Sequence, residues 1–207
     1  NLALRGEESF AKVMDMAEYA RREINEIGGY YAYGKELVNG TSVYDYDVTK
    51  LSVHTLGLGL AGIEVYDLLR DEYDIQIEFG DVSNILAYIS IGDRLQDIER
   101  LVGALADIAR IYKKDSTGML SGEFISPIVA RSPQEAFYSA KESLPVEKTE
   151  GRISGEFVMC YPPGIPILAP GEMITDEIIQ YILYVKEKGC SMQGTEDKSV
   201  NKLKVLV

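Results

Sequence analysis

The chain has no tryptophan, a single histidine and two cysteines among 207 residues, and each shortage closes off a class of chemistry. With His54 the only imidazole, any Ser/His/Asp or Cys/His nucleophilic arrangement must run through it. His54 falls in an alternating stretch, where a lone strand histidine reads as structural rather than catalytic. Cys160 and Cys190 lie far apart in no C-x-x-C pattern. They make no redox motif, and with one histidine they cannot complete a structural zinc set. Reduced thiols and a cytoplasmic setting are the default expectation. Long apolar runs are also missing: glycine or charge interrupts each one, so no transmembrane helix is expected, and no signal peptide is visible. Basic residues are outnumbered 21 to 33, a net charge of −12. That acidity argues against nucleic acid and anionic membrane as partners and favours cationic ligands. What remains, at 46% apolar, suits a soluble globular chain of one large or two small domains.

Periodicity orders the first part. Glu7–Ile27 reads as a long helix with Phe10, Val13, Ala17, Ala20, Ile24 and Ile27 as its stripe, ended by Gly28-Gly29. Tyr30–Gly34 reads as a short strand, Asn39-Gly40 as a turn, and Leu51–Leu56 as a second strand. A glycine-punctuated loop leads into a helix reaching Arg70. Ile75–Phe79 alternates as a short strand, and the apolar run Ile85–Ile91 reads as a central strand covered on both faces. Asp93 and Gln96 make a capping-box-like start to a helix reaching Lys114. This order, helix–strand–strand–helix–strand–strand–helix, predicts an α+β layer over residues 1–115, with a small antiparallel or mixed sheet against helices. From Asp115 onward glycine and proline recur, at Gly118, Gly122, Pro127, Pro133 and Pro145. Residues 116–207 are expected to form a second, smaller α+β unit with a helix at Ile174–Lys188 and a strand at Leu203–Val207.

Within that second unit, Tyr161–Thr175 is YPPGIPILAPGEMIT, with Pro162, Pro163, Pro166 and Pro170. Fixed φ and missing amide hydrogens exclude helix and a central strand over Tyr161–Pro166, which predicts a rigid extended loop. A helix follows: Ile174, Ile178, Ile179, Ile182 and Val185 share a face, Thr175 can cap it, and Asp176 and Glu177 suit its positive end. The loop is either a structural crossover or a surface shaped for another part of the protein.

Few side chains remain for chemistry. Gly57-Leu58-Gly59-Leu60-Ala61-Gly62 matches G-x-G-x-x-G, and is read as room for a helix to pack against a strand. Glu123 and Glu156 could pair, but nothing fixes their distance. Glu78 and Asp81 follow a strand at a sheet edge, with Gly80 between them to let the backbone turn sharply. Converging there, two carboxylates would hold an ammonium or guanidinium group; apart, each is a solvated turn acid.

GRISGEFVMCYPPGIPILAPGEMIT, residues 151–175, with YPPGIP and PGE in that order and spacing, resembles the C-terminal region of the bacterial ornithine/lysine/arginine decarboxylases. These are pyridoxal-phosphate enzymes of the aspartate-aminotransferase fold. The resemblance runs upstream through DVTKLSVHTLGLGLAGIEVYDLLRDEYDIQIEFGD and NILAYISIGD, so it covers nearly all of the chain, and the shorter enzymes acting on arginine or lysine are most similar. It implies that Glu78, six residues before Asn84, faces the distal charged end of the substrate; Asp81 matches no family-wide acid as clearly. The family's Schiff-base lysine follows a histidine, whereas His54 is followed by Thr55, and Lys35 and Lys50 lie in segments resembling the small domain. The resemblance therefore implies no catalytic and no cofactor-binding residue here, with pyridoxal phosphate held only in the full-length parent. The missing upstream cofactor domain is expected before Asn1, which reads as a cut or processed end, with the first helix as a severed connector. Other expected partners are a second copy, in a homo-oligomer, and a basic amino acid: arginine, lysine or ornithine. The alternative is a stand-alone binding or scaffolding module without catalysis.

Overall fold

The computed structural model describes residues 2–116 and 125–207. The chain divides into two compact units, Asn1–Met119 and Leu120–Val207.

The first unit places helices on one face of a small sheet, in the element order that the periodicity predicts. Helix α1 spans Leu2–Ile27, and strands β1 (Tyr31–Ala32) and β2 (Lys50–His54) follow. Then come α2 (Gly62–Tyr73), β3 (Phe79–Gly80), β4 (Asn84–Tyr88) and α3 (Leu95–Ile111). The four strands stand in the order β1-β2-β4-β3, every pair antiparallel. Alternation sends Leu51, Val53, Ile85 and Ala87 into the core. There they meet Val13, Ala17, Ala20 and Ile24 of α1, Val65 and Leu69 of α2, and Ile98, Leu105 and Ile108 of α3. Burying these faces is the main term that holds the unit together, at about 25 cal/mol per Å² of apolar surface.

Several local expectations shift. Because all three helices pack on one side, β4 is covered on one face only: Ile85 and Ala87 are buried, while Tyr88 is 49% exposed. The predicted strand at Ile75–Phe79 contracts to Phe79–Gly80, since only its end pairs with β4. Helix α3 starts one residue later than the Asp93–Gln96 box would place it. Asp97 reaches back to the Arg94 amide at 3.0 Å, and Asp93 instead accepts from the Ser90 amide at 2.7 Å. Phe10 of α1 lies at the exposed margin of its predicted stripe.

The second unit holds α4 (Pro133–Tyr138), β5 (Lys141–Pro145), β6 (Val158–Tyr161), β7 (Ile165–Leu168), α5 (Asp176–Glu187), β8 (Ser191–Gln193) and β9 (Lys202–Leu206). Strand β5 pairs with β9, and β6 lies between β7 and β8. Helix α5 begins at the Thr175 cap, whose hydroxyl accepts from the Ile178 amide, and buries Ile178, Ile179, Ile182 and Val185. These pack with Val158, Leu168, Ile174, Leu203 and Val205. Tyr161–Pro166 is not an extended loop but a hairpin: Tyr161 ends the central strand, Pro162–Gly164 turn, and Pro166 stands opposite Met159. The hairpin tolerates its prolines because two fall in the turn, joined by cis bonds at Tyr161-Pro162 and Pro162-Pro163, and the third on an edge strand. Glu156 ties backbone together, accepting from the Lys204 amide at 2.8 Å and the Glu196 amide at 2.9 Å. Its proposed mate Glu123 lies outside the described residues.

Candidate functional site

Antiparallel register sets the outer face of the first unit's sheet. His54 pairs directly with Asn84 on one side and with Tyr31 on the other. These residues therefore stand side by side at one end of the sheet, on the face opposite the helices. Tyr33 joins them: its hydroxyl donates to Asn84 Oδ1 at 3.1 Å, and its ring meets Tyr31 edge-on with centroids 5.1 Å apart. His54 Nδ1 lies 3.3 Å from the same Asn84 oxygen. Burial, and then the charge of Asp81, push the Tyr33 phenol above its ordinary value.

Asp81 closes the cluster from the β3–β4 turn. Its Oδ1 accepts from the Ser83 and Asn84 amides, both at 2.7 Å, and Asn84 Nδ2 lies 3.4 and 3.5 Å from the two carboxylate oxygens. An aspartate with two short backbone donors holds a turn in shape. Glu78 stands differently. It is exposed, its amide donates to the Leu86 carbonyl at 3.0 Å, and no hydrogen bond or ion pair holds its carboxylate among the described residues. No contact joins the Glu78 and Asp81 carboxylates. One is free at the sheet edge, while the other is committed to positioning Asn84.

The glycines around this turn serve close approach. A Cβ on Gly62, at the start of α2, would run into the Asn84 carbonyl oxygen and come within 2.7 Å of that of Asp81; one on Gly80 would run into the Gly62 carbonyl. Thus the last glycine of G-x-G-x-x-G provides helix–strand packing room, and Gly80 brings β3 against α2 rather than turning the chain. Glu64 caps this helix by accepting from the Ala61 amide at 2.8 Å.

Sequence reasoning passed over two members of the arrangement. Tyr33 carried no motif. Arg21 sits inside the α1 stripe, between Ala20 and Ile24, and is 3% exposed. Its guanidinium donates to the carbonyls of Tyr33 (2.7 Å), Val48 (2.8 Å) and Lys50 (3.2 Å). A charged residue on an apolar stripe was the available signal. A cleft of about 320 Å³, lined in part by Leu60, Glu64, Asp67, Asp71, Tyr112 and Lys114, has three of its acids engaged: Glu64 by Lys114, and Asp67 and Asp71 by Arg70. No cluster of metal-binding side chains occurs among the described residues, and no helix there is long and apolar enough to cross a membrane.

Comparison with known proteins covers both units. Residues 121–198 match the model of the Orn/Lys/Arg decarboxylase C-terminal domain. An arginine decarboxylase of Halalkalibacterium halodurans is 38% identical over 212 residues, covering 100% of this chain and 43% of that protein. One from Bacillus subtilis is 38% identical, covering 99% and 42%. The chain thus spans less than half the length of the curated relatives it matches. Among solved structures, the Francisella novicida lysine decarboxylase superposes with a TM-score of 0.67 at 19% identity, covering 98% of this chain and 40% of that one, a likeness of fold. The Escherichia coli constitutive lysine decarboxylase gives 0.66 at 18% identity, covering 98% and 41%.

Proposed function

The chain belongs to the Orn/Lys/Arg decarboxylases through its C-terminal domain at residues 121–198, and from that membership we propose that it is the C-terminal portion of a cytoplasmic, pyridoxal-phosphate-dependent decarboxylase of a basic amino acid. Its role there is to contact the substrate's distal end and to supply subunit surface in a homo-oligomer. One observation carries this reading: the alignment with arginine decarboxylases runs through both units, so the sheet with Glu78, Asp81 and Asn84 belongs to the matched length as fully as the C-terminal domain does. Arginine is the substrate named for those relatives, with lysine and ornithine the other members of the class.

Pyridoxal phosphate does not fit the residues described here. An aldimine-forming lysine needs an enclosed, desolvated setting. No lysine is buried among the described residues, and Lys50, the lysine on the sheet, places its Nζ 3.4 Å from the centre of the Tyr88 ring at the surface. This chain's share is binding at the far end of the substrate, for which it offers an exposed carboxylate at the sheet edge and a polar, aromatic cluster on the same sheet, within a stretch of net charge −12. A cation brought out of water needs such partners, because burying it unpaired is costly.

The test is release of CO2 from arginine, lysine and ornithine by the full-length enzyme, which should decarboxylate at least one, alongside this chain alone, which should decarboxylate none. Borohydride reduction of this chain with pyridoxal phosphate should leave no specific lysine label. A single reproducible labelled lysine, or a full-length enzyme inert on all three substrates, would overturn the reading.

A further inference from the structure

The hydrogen bonds around Asn84 fix which way its amide points, and through it the state of the chain's one histidine. Asp81 can only accept while ionised, so the Asn84 group facing it is Nδ2. Asn84 Oδ1 is then an acceptor shared by the Tyr33 hydroxyl at 3.1 Å and His54 Nδ1 at 3.3 Å. An oxygen with two lone pairs accepts from both, which requires His54 to carry its proton on Nδ1. An unconstrained histidine side chain ordinarily prefers the other tautomer. In the neutral ring so held, Nε2 is a bare acceptor. No bond to Nε2 is made among the described residues, and the ring is half-buried. Acids and aromatic rings that could face a cationic ligand stand nearby. Asp81 lies behind Asn84, the Tyr31 and Tyr33 rings lie alongside, and Glu36 accepts the Tyr31 hydroxyl at 2.7 Å.

We propose that His54 is a specificity-determining residue of this site, presenting Nε2 as the acceptor for an N–H donor on the cationic end of a basic amino acid. The ligand class rests on the decarboxylase reading above; the tautomer does not. His54 supplies direction to that contact, which distinguishes a donor held in line with the ring from a diffuse point charge.

Two measurements test this. First, the chain is labelled with 15N-histidine, so that one imidazole gives one pair of ring signals. In the neutral ring, Nδ1 should carry the proton and Nε2 should be bare, and Asn84→Ala should return the ring to the Nε2–H form. A wild-type ring protonated on Nε2 overturns the inference. Second, steady-state kinetics of the full-length enzyme compare three variants. His54→Asn keeps a donor toward Asn84 but has nothing at Nε2, so it should raise KM for the preferred substrate about tenfold with kcat within twofold, as should His54→Ala. His54→Gln, whose amide reaches the Nε2 position, should restore most of the affinity. An unchanged KM in His54→Asn overturns the inference alone, whatever the tautomer. A wild-type enzyme inactive on every basic amino acid overturns the decarboxylase reading and the ligand class with it, while leaving the tautomer result to stand.

Discussion

Arg21 Nε donates to the Tyr33 carbonyl at 2.7 Å, and this bond anchors the outer-face cluster to the far side of the sheet. The arginine belongs to α1, so the placing of Tyr33 depends on a residue that meets the cluster through the Tyr33 backbone. Its guanidinium also satisfies the Val48 and Lys50 carbonyls. Arg21→Met should therefore lower stability by about 2–4 kcal/mol, since it leaves carbonyl groups unpaired in a buried setting. Arg21→Lys should recover only part of this, because an ammonium lacks the planar fork. Urea denaturation of the three proteins measures the difference.

Gly62→Ala should damage the fold and the site together. The added methyl group meets the Asn84 carbonyl, a backbone atom that cannot swing aside. We expect about 1–3 kcal/mol of destabilisation from overpacking. A perturbed His54 ring signal should accompany it, as the β3–β4 turn is pushed from α2. Gly103→Ala, at a helical position with open space around it, should be neutral or stabilising.

Stability should fall at alkaline pH. Burial drives the Tyr30 phenol well above its ordinary value of 10.0, with a smaller push from Tyr73, and its hydroxyl donates to the Leu105 carbonyl at 3.2 Å. The folded state therefore holds a proton that the unfolded chain has released. This contribution is fully present below about pH 10 and is lost as pH rises toward the folded value. Tyr33 acts in the same direction. Tyr30→Phe should cost about 1 kcal/mol near neutrality yet flatten the alkaline limb. Denaturation midpoints from pH 8 upward distinguish the two proteins.

Glu78→Gln keeps the shape of the side chain and removes its charge. If the exposed carboxylate meets the substrate's cation in the full-length enzyme, kcat/KM for that substrate should fall by roughly 10- to 100-fold, the equivalent of a charged hydrogen bond of about 1.5–3 kcal/mol. A change under about twofold removes Glu78 from the site. Asp81 is not its simple substitute, because its carboxylate already holds the Ser83 and Asn84 amides.

Where one local signal governed, the sequence sufficed. The Ala17–Ala20–Ile24 stripe, the Thr175 cap and the isoleucine face of α5 all follow from period and capping chemistry, and all stand as expected. The errors occurred where partners distant in sequence decide. Whether β4 is covered on one face or two depends on where three helices pack. The prolines of YPPGIP excluded a central strand, yet Tyr161 ends one, because the turn and the edge strand absorb the proline residues. The site was legible only in part. Glu78 and Asn84 were indicated by resemblance and Asp81 only by its place beside Glu78 after a strand, and the reading of Asp81 changed once its bonds to the turn were seen. The association of His54 with Asn84 and Tyr33 is a matter of strand register, which composition and spacing do not carry.

The pairing of β5 with β9 also governs timing on the ribosome. Strand β5 begins at Lys141, but its partner is Lys202–Leu206, and that partner brings Leu203 and Val205 into the core. The second unit therefore cannot complete its hydrophobic interior until β9 has been synthesised and has left the exit tunnel. The first unit, finished by α3 at Ile111, has every strand of its sheet in hand long before then. Synthesis halted just short of residue 202 would leave β5 as an open edge and α5 with part of its apolar face uncovered, the kind of nascent chain that chaperones and proteases recognise.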